Sequence, residues 1–68
     1  MNEEAFNLSL RKLLKQFGVT AQREVEKAVD DAIKAGRIRG MESLSARATM
    51  HVEGLDTEVV VEGRITLA

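Results

Sequence analysis

Three serines, Ser9, Ser43 and Ser45, and a single histidine, His51, are the side chains of this sequence that could support nucleophilic chemistry. A serine becomes a nucleophile only beside a general base, and His51 alone could serve as one. The alternating pattern around His51 sets it on the polar face of a strand, opposite Glu58. That is the setting of a surface cross-strand pair rather than of a base aimed at a hydroxyl. Asp30 and Asp31 are adjacent carboxylates, but paired-carboxylate chemistry needs a cleft that desolvates one of them. They fall on a solvated helix face. There is no cysteine nucleophile, no glycine-rich phosphate loop and no metal-ligand spacing. The reading is of no catalytic residue, no metal and no cofactor, and so not of an enzyme.

Charge allows a second kind of chemistry. Lys34, Arg37 and Arg39 form a candidate basic surface in mid-chain, with Arg47 beyond and Arg11, Lys12 and Lys15 before it. Such a strip could contact phosphates. Against this, Glu24, Glu26, Asp30 and Asp31 occupy the helix that would read a nucleic acid, and no aromatic is free to stack on bases. Compensation of a helix dipole accounts for the cluster more simply. The formal net charge of −1 adds no pull toward polyanions. Nucleic-acid binding is therefore disfavoured. No apolar run approaches the roughly 20 residues of a membrane span, and the N-terminus lacks the basic start of a signal peptide. A cytoplasmic protein with no membrane partner is expected.

The 68 residues suit one small domain, and 44% apolar with 31% charged residues fits a folded globule. Phe6 and Phe17 are the only aromatics, so the core must come from Leu, Ile, Val, Met and Ala. Small domains often rely on disulfides, a metal or a partner subunit. With no cysteine here, self-association is the support left.

The elements that position these residues read as α+β in the order α-α-β-β. Asn2 caps a first helix over about 3–17, in which Phe6, Leu10, Leu13, Leu14 and Phe17 share one face. Leu8 falls off that face and is a candidate contact to a partner. Gly18 is expected to stop the helix in a left-handed conformation, with Val19 reaching back to Leu14. Thr20 then caps a second helix over about 20–35, carrying Val25, Ala28, Val29, Ala32 and Ile33 on one face. Gly36 ends it.

After a connector the period changes to two, predicting strands over about 44–53 and 56–67 as a floor for the helices. A two-residue Gly54-Leu55 turn pairs Arg47 with Glu62 and His51 with Glu58. The alternative four-residue loop would set Arg47 against Arg64, which is unfavourable. Gly63 marks either a bulge or a close approach. A lone hairpin leaves open edges, and Val59, Val60 and Val61 make a candidate dimer edge. A homodimer is the expected state, with a protein partner of unknown identity.

The Met-Asn-Glu-Glu-Ala-Phe-Asn start, the Gly-Val-Thr turn, the Ala-Ile-Lys-Ala-Gly helix end, the Gly-Leu-Asp turn and the Val-Glu-Gly-Arg-Ile strand carry a resemblance. Over its whole length the chain resembles a family of short, uncharacterised bacterial proteins of about this size. That implies a stand-alone bacterial domain and no active-site residues. The order helix, turn, helix and hairpin is also similar to winged-helix DNA-binding domains, with two helices where three are usual. The expected function is a small non-enzymatic, homodimeric interaction or structural module, with a winged-helix-like nucleic-acid binder as the alternative.

Overall fold

The computed structural model describes residues 1–68. One helix, α1 (Glu3–Lys34), is followed by a two-stranded antiparallel hairpin, β1 (Ser43–His51) and β2 (Glu58–Thr66). Both ends of α1 are chemically specified. The Asn2 side chain accepts the Ala5 N–H at 3.0 Å, and Glu3 and Glu4 fill the first turn. There they meet the positive end of the helix dipole. At the other end Gly36 has φ +76; its N–H donates to Ile33 O at 3.0 Å and the Arg37 N–H to Ala32 O at 2.9 Å. Those two bonds are the Schellman pattern, which satisfies carbonyls the helix would otherwise leave open.

The tight turn expected between two helices is absent. α1 runs through Gly18, Val19 and Thr20 without a break, so the order is α-β-β and not α-α-β-β. Gly18 is not left-handed; positive φ is confined to Gly36, Gly40 and Gly54. The physical reason lies in the spacing. Phe17, Ala21 and Val25 follow one another at four-residue steps, so the faces assigned to two helices are one continuous stripe from Phe6 to Ile33. A glycine inside a helix costs only about 1 kcal/mol, and a threonine less. Breaking the helix would divide the stripe and forfeit several hydrogen bonds. With one helix there is no helix-turn-helix, so the order behind the winged-helix likeness is lost. No helix is long and apolar enough to cross a membrane.

The hairpin keeps the register expected from its charges: Arg47 stands opposite Glu62, His51 opposite Glu58 and Ala46 opposite Gly63. The strands end earlier than expected at the tip. The turn is closed by the Leu55 N–H donating to Val52 O at 3.1 Å, with Gly54 at φ +87 third of its four residues. That is one residue before the expected Gly54-Leu55 turn, and glycine sits where a type II turn requires it. Gly63 pairs in register without a bulge, and a β-carbon built there meets nothing within 4 Å.

The connector brings the hairpin back along α1. The Glu42 carboxylate accepts backbone N–H groups from Arg39 at 2.8 Å, Gly40 at 2.9 Å and Met41 at 3.0 Å. Gly40 meets the Ile33 side chain. Nine strand residues span about 30 Å, equal to roughly 20 residues of helix. The hairpin tip therefore ends level with Leu13 to Phe17, and the first turns of α1 project beyond it.

No residue of the chain is buried. Leu10, Ala21, Val29 and Ala32 of α1 are half-buried, as are Leu44, Ala46 and Met50 of β1, with Ile38 and Leu67 beside them. The chain exposes 6266 Å², whereas a compact monomer of 7.5 kDa exposes about 4,200 Å². Its radius of gyration is 15.9 Å, against about 11 Å for a compact chain of this length.

Candidate functional site

Where the hairpin tip meets α1, a groove of about 280 Å³ stays open. Leu13, Leu14 and Phe17 form its helix wall, and Ala48, Met50, Val59 and Val61 form its sheet wall, with Thr49 and His51 at the rim. The helix wall arises because Leu13 and Phe17 are four residues apart and so lie one turn above the other. The sheet wall arises because Ala48 faces Val61 and Met50 faces Val59 across the ladder, all on one side of the pleat. Phe17 is 55% and Val61 63% exposed, far from the state of core residues. Large apolar areas left open in this way mark a surface that meets something apolar.

The groove and the candidate dimer edge share residues. Val59 and Val61 of the candidate dimer edge line it, while Val60 alternates to the opposite face of β2. The outer edges of both strands carry no further strand. The sequence placed Leu13, Leu14 and Phe17 on the apolar face of the first helix, and did not mark them as a surface. Their exposure depends on how far the hairpin reaches along α1, which composition does not reveal. The scarcity of large apolar residues was the available signal.

The candidate basic surface lies elsewhere. Lys34 sits in the last turn of α1 and pairs with Asp30 at 2.9 Å, and that pairing raises its pKa. Arg37 and Arg39 lie in the exposed connector. There the Arg39 N–H, with those of Glu42 itself, Met41 and Gly40, draws the Glu42 carboxyl below its ordinary pKa. Arg47 and Glu62 stand 3.9 Å apart across the ladder.

The serines are engaged locally. Ser9 Oγ donates to Phe6 O at 2.9 Å. Arg64 donates from Nε to Ser43 Oγ at 3.0 Å, from one terminal nitrogen to Ser45 Oγ at 3.2 Å and from the other to Ser43 O at 3.1 Å. This planar guanidinium ties β2 to two same-face positions of β1. His51 stands opposite Glu58 in the ladder and makes no ion pair with it.

A long capped helix with a hairpin folded back on it defines a small α+β domain whose most distinctive surface is an apolar groove. Comparison with protein-family models matches residues 1–68 to a family of unknown function, DUF6494. The chain belongs to that family. No curated protein and no solved structure matches it.

Proposed function

We propose that this chain is a non-enzymatic, self-associating interaction or structural module whose folded unit is a homodimer. One observation carries the reading: the isolated chain buries no residue and exposes roughly 2,000 Å² more than a compact monomer of its mass. Folding is driven mainly by removal of apolar surface from water, at about 25 cal/mol per Å². A chain that leaves Phe6, Leu13, Phe17, Val59 and Val61 exposed holds much of that driving force unspent. Two copies each covering their excess would bury about 4,000 Å² in total, within the range of obligate dimers. A second copy is the occupant that is always present at matching concentration. A protein partner, where there is one, would then bind the completed dimer.

Sedimentation equilibrium at micromolar concentration tests the reading. A mass twice that of the chain supports it. A folded species of single-chain mass across the same range would overturn it.

A further inference from the structure

The dimer reading leaves open how two copies fit, and the pattern of α1 narrows the choice. Its N-terminal stripe reads Phe6, Leu10, Leu13, Phe17, with gaps of four, three and four residues. Reversed, it gives the same residue types at the same gaps. A stripe that is its own reverse matches a second copy with the two helices antiparallel as well as parallel, so the ends of the helix and the groove decide between the two.

We propose that two copies pair these stripes antiparallel about a twofold axis between Arg11 and Lys12. Phe6 of one copy lies on Phe17 of the partner subunit, and Leu10 lies on Leu13 of the partner subunit. The proposal rests on the dimer reading and specifies its interface. Three further observations support it. The projecting end of α1 carries Phe6, half exposed at 50%, and has no sheet beneath it. The groove between α1 and the tip half of the hairpin leaves Leu13, Leu14, Phe17 and Val61 largely open to solvent. An antiparallel pair seats each projecting end in the other copy's groove, whereas a parallel pair sets the two projecting ends together and leaves both grooves empty. Arg11 and Lys12 point away from the stripe, so no like charges meet at the axis.

The interface is isologous, each copy giving a ridge and receiving one. Helix dipoles in antiparallel array also attract. Each groove is therefore complete only with residues of the second copy.

The two phenylalanines supply the test without any substitution, since they are the only aromatics of the chain. Within one copy they are eleven residues apart on a continuous helix, about 16 Å, beyond the reach of a nuclear Overhauser effect. In an equal mixture of isotope-labelled and unlabelled protein, an isotope-filtered spectrum should show contacts between the Phe6 and Phe17 rings of different copies. Intermolecular Phe6–Phe6 contacts in their place would overturn the antiparallel arrangement. So would a species of dimer mass with no intermolecular contact at either ring, which would move the interface to another surface such as the β2 edge while leaving the dimer standing. A single-chain mass would remove both.

Discussion

Ile33 packs on the backbone of Gly40 so closely that a β-carbon on Gly40 would stand 3.3 Å from Ile33 Cδ1. The contact joins the last turns of α1 to the connector that launches the hairpin. Gly40 also holds φ at +88, in the left-handed region that side chains resist. Gly40→Ala should therefore lower stability by about 1–2 kcal/mol from the backbone alone, with the Ile33 contact adding to it. Denaturant midpoints of the two proteins give the measurement. Gly63→Ala is the control, because its added carbon meets nothing and its φ is ordinary.

Gly18→Ala distinguishes one helix from two. Within a continuous helix, and with open space at its β-carbon, alanine should raise stability by about 1 kcal/mol. At a left-handed helix stop the same change would lower it by a similar amount. A thermal melt of the variant against the parent reads the sign.

How much of this was legible beforehand divides along physical lines. The hairpin register could be read because a one-residue slip would reverse every side chain and the cross-strand charges favour one pairing, Arg47 with Glu62. The ends of α1 could be read because Asn2 and Gly36 act through local hydrogen bonds. Gly18 misled because a glycine followed by Val-Thr suits both a stop and an interior position. The difference between them is about 1 kcal/mol, and the Phe17–Ala21–Val25 spacing outweighs it. The turn at the hairpin tip shifted by one residue because Gly54 can serve either of two turn types. The groove was not legible from local patterns, since none of them records how far the hairpin reaches along α1.

Substitutions in the stripe should divide by face. Phe17→Ala is expected to cost about 3 kcal/mol or more and to shift the mass toward a single chain, as for a side chain buried between copies. In an isolated copy with Phe17 at 55% exposure the cost would be far smaller. Leu8→Ser, on an exposed residue off the stripe, should change stability by no more than about 0.5 kcal/mol. Chemical denaturation with parallel mass measurement checks the pair.

Glu42 sets a pH dependence. The N–H of Arg39 above all, with those of Glu42, Met41 and Gly40, favours its ionised form and lowers its pKa in the folded state. A group with a lowered folded pKa contributes stability above its unfolded pKa, and that contribution is lost as pH falls through the folded value. Glu42→Gln should thus be less stable than the parent at neutral pH. The gap should close as the solution is taken below the carboxylate range. Melting curves of both proteins across the acid range would show it; a gap independent of pH would argue against the carboxylate's role.

The central claim is that one copy of this chain does not complete its own fold. The melting temperature over a hundredfold range of protein concentration tests this most directly, because assembly coupled to folding makes stability depend on concentration. A melting temperature that climbs steadily with concentration is the expected result. A cooperative transition at one fixed temperature across the range would contradict it.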